Sequence, residues 1–428
     1  MSALKHNPFV SFGASQRRPM GDPLKVEAIS HGARYMLDNA PDADIVLLES
    51  ASALGPYSDA INELASVAED SNPLFETPAL MAAMTHLSAG DKSVRVALVW
   101  SEKNVSQPRQ LIGLIPYQVK RFYLGLPLSV WSVWTHKYNF LATPLLRRGQ
   151  EHSALRRFLH YADQSGARMM RFPLFQADGA FGPVLTDIVE ERALPSVETA
   201  RHERAVLDAG MDCETYLSTH MRKKKRKEYN RLWNRMAETG DVAFDTLSNA
   251  ADLDLWMKNF LLLERSGWKG KRGTALAEQQ NDAAFFEELC CSSMSQGKLH
   301  VARITLNAQP IAMLVSFISG NCAYAFKIAF DENYARFSPG AWLMMKVIDS
   351  FHNDARVSRV DSCAVPDHPM IDHIWAERRQ MRAMNVATSH AMSPWFIAYS
   401  AHMTRLVDRA WSFMRQNYYR LRKEIERD

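Results

Sequence analysis

Residues 336–341, read Arg-Phe-Ser-Pro-Gly-Ala, have the residue types of an anion site at the start of a helix. They follow an apolar run over Cys322–Phe330 that is typical of a strand. Ser338 is a common helix-capping residue, and Pro339 suits the first helical position because no N–H is needed there. The helix dipole and Arg336 would attract an anion such as a pyrophosphate. The free backbone N–H groups expected at this mouth are those of Gly340, Ala341 and Trp342.

A second group of titratable residues lies at the end of a predicted strand at residues 357–363 and directly after it: Asp361, Asp367, His368, Asp372 and His373. Histidines and carboxylates with suitable pKa values can accept or relay protons, although Asp-His-Pro turns often only form local hydrogen bonds. The spacing matches no helix-face pair of metal ligands, so no metal is predicted. Cys363 is interpreted as a small packed strand residue, because a nearby histidine in the sequence does not establish a nucleophilic pair.

The densest charge lies at residues 222–227, six consecutive arginines and lysines, and it continues to Arg231 and Arg235 with Tyr229 and Trp233 between them. Six consecutive cations on a helix cover every face, so one interpretation is a solvated surface helix. The alternatives are an electrostatic funnel for an anionic ligand and a contact with an RNA backbone.

Composition indicates a globular chain of more than one domain. The 428 residues are 47% hydrophobic and 23% charged, with a net charge of only +4, which gives no global sign of a nucleic-acid-binding protein. Five cysteines without metal-type spacing favour a reducing cytoplasm. Residues 1–43 are predicted to be a loose arm without a signal peptide. The apolar run 311–330 is interrupted by polar residues, which favours two paired strands over a membrane span.

The hydrophobic periodicity predicts two units of similar order. In the first, strands at 94–101, 110–119, 129–134 and 139–145 precede helices at 152–165 and 179–191, which flank a strand at 168–173. In the second, a long helix at 212–239 and helices at 250–266 and 281–296 precede a meander of strands at 299–306, 309–319 and 321–330. A helix at 338–352, strands at 357–363 and 384–389 with a short helix at 370–377 between them, and a final helix at 394–426 follow.

The motif at residues 336–341 resembles the coenzyme A loop of the GNAT acetyltransferase superfamily. Residues 263–270, Leu-Glu-Arg-Ser-Gly-Trp-Lys-Gly, with 273–276 behind them, resemble the signature of its CelD-like branch, linked to cellulose biosynthesis. This branch is similar in layout to the Fem peptidyltransferases. The resemblance covers the last two-thirds of the chain well and the first third only in outline.

The resemblance implies an α+β fold of two tandem GNAT-like domains, each a mixed, mostly antiparallel sheet flanked by helices. The expected limits are 44–207 and 208–392, with a C-terminal helix at 393–428. The helix near Glu151 has no glycine at its mouth and places a carboxylate where an anion would sit. Coenzyme binding is therefore assigned to the second domain.

The implied activity is direct transfer of an acetyl or other acyl group from acyl-CoA to an amine or hydroxyl of a polar metabolite, sugar or polysaccharide precursor. Coenzyme binding is assigned to Arg336, Ser338, Gly340, Ala341 and Trp342. Asp361 and His368 are the candidates for the base or its relay. The predicted substrate residues are Glu264, Trp268, Lys269, Tyr324 and Lys327; Tyr324 and Lys327 have odd separation on a strand, so only one is expected to face the cleft.

Two other functions stay open. A Fem-like transferase would use aminoacyl-tRNA, and a non-catalytic partner of an exopolysaccharide assembly system would keep the fold without turnover. Nucleic acid is an expected partner only under the Fem-like alternative, and neither a membrane span nor a particular oligomeric state is predicted.

Overall fold

The computed structural model describes residues 44–104, 108–123, 125–403, 406 and 414. The predicted arm at 1–43 lies outside the described residues, as does most of the predicted final helix beyond residue 403. Residues 394–403 are helical. Of the aromatic residues expected to pack there, Phe396 is partly buried, whereas Trp395 and Tyr399 are exposed and stack on each other with ring centroids 5.4 Å apart.

The first half combines seven strands with short helices. Its strands are β1 (Ile45–Leu48), β2 (Val94–Trp100), β3 (Leu111–Lys120), β4 (Val130–Val133), β5 (Leu145–Leu146), β6 (Met169–Gln176) and β7 (Ser196–Asp208). Its helices are α1 (Ala51–Leu54), α2 (Ser58–Val67), α3 (Thr77–His86), α4 (Glu151–Gln164) and α5 (Phe181–Glu191). The strand predicted at 139–145 is wrong except for its last residue, because residues 139–144 form a loop.

The second half has the predicted order of elements. It contains α6 (Cys213–His220), α7 (Lys223–Ala237), β8 (Val242–Thr246), α8 (Leu253–Ser266), α9 (Trp268–Lys271) and α10 (Gln280–Ser295). The meander is β9 (Leu299–Leu306), β10 (Gln309–Ser319) and β11 (Cys322–Phe330), followed by α11 (Pro339–His352), β12 (Arg359–Asp361) and β13 (Glu377–Ala387). The apolar run 311–330 is thus two paired strands.

Three predicted elements differ from the structure. The long helix 212–239 is broken, because Met221 is extended and α7 begins afresh after Arg222. The helix predicted at 370–377 is only a 3₁₀ turn at Ile371–His373. The last strand begins at Glu377 rather than residue 384, because its polar first part pairs with β7.

All these strands form one sheet in the order β1-β2-β3-β4-β6-β13-β7-β12-β11-β10-β9-β8, with β5 on β3. The β4–β6 and β11–β12 pairs are parallel, and the others are antiparallel. The halves exchange their last strands: β7 lies against β12, and β13 lies against β6. Strand pairing therefore crosses the predicted boundary at 207/208.

Strand β11 departs from regular pairing in two places, once with β12 and once with β10. Its parallel pairing with β12 covers only Cys322–Tyr324 and stops there, so the two strands separate beyond Tyr324 and Asp361. The pairing of β11 with β10 also shifts, because the two residues between Tyr324 and Lys327 lie opposite the single residue between Val315 and Phe317. The shift is a β-bulge, which bends a strand and redirects its side chains. α11 packs on the side of this sheet that holds Ile328 and Phe330.

In the described part of the chain, no helix combines the length and apolar character needed to cross a membrane.

Candidate active site

A cavity of about 790 Å³ opens where β11 and β12 separate. One wall is β11 from Ala325 to Phe330, and the opposite wall is the segment after β12, Ser362–Val365 with His368–Ile371. The mouth of α11 closes one end with residues 338–341. Residues of α8 and α9, Tyr229 of α7 and the first-half loop 137–140 complete the lining.

The mouth of α11 has fewer free backbone N–H groups than the sequence predicts. Ser338 has left-handed backbone angles (φ 56°, ψ 50°), and its side chain makes no capping hydrogen bond. Its carbonyl instead accepts the N–H groups of Ala341 and Trp342, both at 3.1 Å. Of the three predicted free donors, only the N–H of Gly340 has no partner among the described residues. A non-glycine residue with positive φ is uncommon and is favoured where local structure is constrained for function.

The five predicted coenzyme residues separate into two groups. Ser338, Gly340 and Ala341 line the cavity. Arg336 is exposed and lies over the ring of Phe337, with 4.7 Å from the guanidinium carbon to the ring centre. The Trp342 side chain is buried away from the cavity and packs against Trp233 of α7, with ring centroids 4.7 Å apart. Arg336 and Trp342 therefore lie outside the cavity wall.

The basic helix α7 has an inner side, which carries Tyr229 and faces the cavity, and an outer side, which is exposed. Tyr229 lines the cavity, and the residues one turn before it, Lys225 and Arg226, are half-buried. The Lys225 ammonium lies 5.4 Å from the centre of the Tyr229 ring. Lys223 and Lys224 are exposed. The cations are therefore not equivalent: Lys225 and Arg226 are partly buried on the side of α7 that carries Tyr229, and Lys223 and Lys224 are exposed.

Asp361 lies outside the cavity in a fully buried ion cluster. Its Oδ2 accepts hydrogen bonds from Arg204 of β7 at 2.7 Å and from Arg379 of β13 at 2.5 Å. Its Oδ1 accepts the N–H of Cys363 at 2.8 Å. Burial opposes its ionisation, but the two guanidinium groups outweigh that effect and hold the pKa of Asp361 below its usual value. Asp361 does not line the cavity, so its buried position fits a relay or positioning role better than direct contact with the acceptor, and its assignment as base or relay stays a prediction.

His368 lines the cavity from the segment after β12. Its Nδ1 faces the backbone N–H groups of Met370 at 3.3 Å and Ile371 at 3.4 Å. Because Nδ1 accepts there, a neutral imidazole carries its proton on Nε2, where it is a hydrogen-bond donor. Cys363 also lines the cavity, and burial raises the pKa of its thiol well above the usual value, which disfavours a thiolate nucleophile.

Glu264 and two lysines form a compact ionic group at the other end of the cavity. Lys269 and Lys327 both donate to Oε1 of Glu264, each at 3.0 Å. The N–H of Leu276 donates to Oε2 at 2.8 Å. Burial opposes ionisation of Glu264, yet the lysines and this N–H hold its pKa below the usual value. Lys269 also donates to the carbonyl of Ile328 at 3.1 Å, which ties α9 to β11.

The remaining predicted substrate residues occupy different places. Trp268 is 45% exposed at the rim of the cavity. Lys327 lines the cavity, whereas Tyr324 is fully buried and its hydroxyl donates to the carbonyl of Ser71 at 2.6 Å. One of the two therefore faces the cleft, as predicted, but simple alternation is not the reason, since the bulge of β11 lies between them.

The first half contributes to this wall in a way that the sequence did not predict. Lys137, Tyr138, Asn139 and Phe140 line the cavity, and of these Asn139 and Phe140 were expected in a strand at 139–145. Lys137 donates to the buried carboxylate of Asp282. Four consecutive polar and aromatic residues without alternation were the available signal that this segment is a loop with large side chains. Among the described residues, no group of three or more His, Cys, Asp or Glu could hold a metal ion.

Comparison with known proteins identifies the second half. Residues 223–368 match the family described as "Acetyltransferase (GNAT) domain". No curated protein matches the chain. FemX superposes with a TM-score of 0.51 at 9% identity, over 76% of this chain and 95% of that one. A conserved protein of unknown function from Bacteroides thetaiotaomicron VPI-5482 gives 0.51 at 11% identity, over 80% and 99%.

A third similar structure is the C-terminal domain (DUF2156) of a putative lysylphosphatidylglycerol synthetase from Agrobacterium fabrum. Its TM-score is 0.49 at 13% identity, over 82% of this chain and 95% of that one. The α+β class predicted from the sequence is confirmed, with one mixed sheet flanked by helices. Residues 223–368 thus match an acetyltransferase domain of the GNAT superfamily, and the protein is an acyltransferase.

Proposed function

We propose that the protein transfers an acyl group from acyl-CoA to an amine or hydroxyl of a polar metabolite, sugar or polysaccharide precursor, as a member of the CelD-like branch. The observation that carries this proposal is the gap between β11 and β12, which leads from the mouth of α11 into the cavity. A chain-like thioester with a pyrophosphate at one end fits an elongated site of this kind.

The electrostatics of the mouth support a phosphate-bearing ligand. The free N–H of Gly340 points from the positive end of the α11 dipole, and Lys225 and Arg226 add two cations from the inner side of α7. Among the described residues, no carboxylate forms a salt bridge with either cation. Their charges are available to the phosphates.

The reaction needs an attacking lone pair, loss of a proton from the acceptor and a proton for the departing thiolate. The acceptor nitrogen or oxygen attacks the thioester carbonyl carbon, the carbon–sulfur bond breaks, and the proton lost by the acceptor passes through solvent to the departing thiolate. We assign His368 to stabilising that thiolate as a hydrogen-bond donor, since its Nδ1 accepts two backbone N–H groups and its Nε2–H is the free donor. Asp361 positions the segment that carries Cys363 and His368.

Isothermal titration with coenzyme A and acetyl-CoA tests this assignment. A Cβ at Gly340 would lie 3.5 Å from Phe330, 3.6 Å from Met370 and 3.7 Å from Ile328, which are ordinary contacts. Gly340→Ala should therefore bind almost as the parent does. Gly340→Glu places a carboxylate against the phosphates and should weaken binding by at least about a hundredfold (about 2.7 kcal/mol).

The matched control is Gly210→Glu, because Gly210 is exposed and a Cβ there meets nothing within 4 Å. The proposal is wrong if the parent does not bind coenzyme A at millimolar concentration. It is also wrong if Gly340→Glu binds as tightly as Gly210→Glu.

The fold shared with FemX favours a second candidate, a Fem-like transferase that uses aminoacyl-tRNA. The exposed cations Lys223, Lys224 and Lys227 on the outer side of α7 would then contact the RNA backbone. We expect no binding of transfer RNA at low salt in a gel-shift assay, and detectable binding would favour this candidate.

Retained coenzyme binding without turnover on any acceptor would favour a non-catalytic partner in exopolysaccharide assembly. We also propose a cytoplasmic location, in keeping with five free cysteines.

A further inference from the structure

We propose that the end of the cavity formed by Lys327, Lys137 and Tyr138 is the acceptor subsite and that it selects an acceptor bearing a carboxylate. This inference rests on the proposed function, because it names the class of molecule that receives the acyl group. Its basis is an uncompensated positive charge in a partly buried, aromatic end of the cavity.

The ionic groups at this end do not balance. Lys269 and Lys327 share one oxygen of Glu264, and Lys137 pairs with Asp282. Three ammonium groups thus face two carboxylates, which leaves one positive charge. Removing a charge from water is costly unless another charge compensates it. A bound anion would compensate the charge that remains.

Lys327 is the cation best placed for that anion. Its side chain is 13% exposed, and it lines the cavity. Burial lowers its pKa, and the neighbouring carboxylate of Glu264 partly offsets that effect. An ammonium has three N–H donors, and Glu264 is the one hydrogen-bond acceptor of Lys327 among the described residues. The remaining donors can bind a ligand carboxylate.

The aromatic residues around Lys327 set the shape of the subsite. The Tyr138 ring centre lies 5.0 Å from the Lys327 ammonium. That ring stacks on Phe285 with centroids 5.5 Å apart and planes at 6°. Burial and the nearby carboxylate of Asp282 raise the pKa of Tyr138, so the phenol stays neutral. A rigid aromatic wall beside a cation suits a small acceptor with an organic body and an acidic group.

The position along β11 separates this subsite from the coenzyme end. Phe330 lies next to Gly340, and Lys327 lies three residues before it, or about 10 Å at ~3.3 Å per strand residue. The acyl group would lie between the two, beside the gap from which β12 departs. One excess positive charge matches a carboxylate better than a phosphate monoester, whose charge is about −1.5 to −2 at neutral pH.

The test compares acceptors that differ only in the carboxylate. Release of coenzyme A thiol from acetyl-CoA is followed with the standard amino acids, their amides and the matching decarboxylated amines. We expect a carboxylate to raise kcat/KM by at least tenfold over the amide. Lys327→Met should raise KM for the acid at least tenfold more than KM for the amide and so abolish the preference.

Lys271→Met is the matched control, because Lys271 forms an exposed pair with Glu332 at 2.6 Å and does not line the cavity. It should keep the preference for acids. Thermal unfolding of both variants checks the fold, and Lys327→Arg, which keeps the charge, should retain a partial preference. A loss of stability alone would lower turnover on acids and amides equally and would not change their ratio.

Calorimetry of the same acids and amides, with and without coenzyme A, gives a readout besides turnover. The inference is wrong if amides bind and react as well as acids, or if none of the acids binds. Failure of coenzyme A itself to bind would instead overturn the proposed function, and binding of acids in its absence would still support the subsite.

Discussion

At the residue scale, Asp361 joins three distant parts of the chain. Its carboxylate is shared by Arg204 of β7 and Arg379 of β13, and Arg204 also donates to the carbonyl of Phe140 at 2.5 Å. One buried group thus connects the end of β12 to both exchanged strands and to the first-half loop of the cavity. Its position affects the cavity although it does not line it.

We expect Asp361→Asn to lower the free energy of unfolding by about 3–5 kcal/mol, because two buried guanidinium groups lose their counter-charge. Urea unfolding at pH 7 measures the change. The control is Asp354→Asn, since Asp354 pairs with the largely exposed Arg356 and should cost no more than about 1 kcal/mol.

The pH dependence provides the second check on Asp361. Its pKa is lower in the folded than in the unfolded protein, where a carboxyl of this kind titrates near pH ~3.9. Its contribution to stability is therefore complete above that pH and is lost as the pH falls through the folded value. The Asn variant should lack this part of the acid dependence; equal acid sensitivity in both proteins would contradict the role given to Asp361.

The sequence indicated residue types correctly but not their partners. Asp361 and His368 stand out because few residue types transfer protons, yet Arg204 is 157 residues from Asp361 along the chain. No local spacing predicts such a pair. The same limit applies to Lys137 and Asp282, whose contact across 145 residues completes the acceptor end of the cavity.

At the element scale, the cations of α7 lie on two different sides of the helix. In the sequence they form one continuous run, so the two sides could not be told apart. The inner pair, Lys225 and Arg226, lies one turn before Tyr229 at the cavity. A helix packed on one side by Tyr229 and Trp233 can present only some of its cations to a neighbouring ligand.

Alanine at Lys225 or Arg226 should each weaken coenzyme A binding about tenfold and reduce its salt dependence, because a charge-assisted contact to phosphate is lost. Lys223→Ala removes the same charge from the outer side and should change neither. Titrations at two salt concentrations measure both quantities. Equal losses in all three variants would mean that α7 acts through its total charge alone.

Elements with regular patterns were predicted well, and those that depend on distant partners were not. The meander β9–β11 and the start of α11 follow from local apolar runs and a proline. The first part of β13 is rich in arginine, so it does not resemble a buried strand. This part of β13 lies in the middle of the sheet, where Arg379 is 4% exposed. Its buried charge is tolerated there because Asp361 neutralises it.

At the scale of the whole molecule, the two halves of the sheet complete each other. Because β7 pairs with β12 and β13 pairs with β6, each half lacks a strand without the other. Contacts such as Lys298 with Glu76, at 2.5 Å, also join the halves. The proposed domain limits at 207/208 thus divide a continuous sheet.

We expect separately produced fragments 44–207 and 208–403 each to lack a cooperative unfolding transition, since each exposes unpaired strand edges. Mixed or co-produced fragments should associate and recover it. Circular dichroism and size-exclusion chromatography measure both states. A cooperative transition in fragment 44–207 alone would show that β13 is dispensable to the first half.

The exchanged strands also determine when the protein can fold during its synthesis. β6 ends at Gln176, but its neighbour β13 begins at Glu377, about two hundred residues later. At typical translation rates of ~5–20 residues per second, the nascent chain waits roughly 10–40 s with that edge of β6 uncovered. Of the described strands, the one in the middle of the sheet is therefore the last to be synthesised. A premature stop after residue 376 would yield an aggregation-prone chain rather than a shorter enzyme.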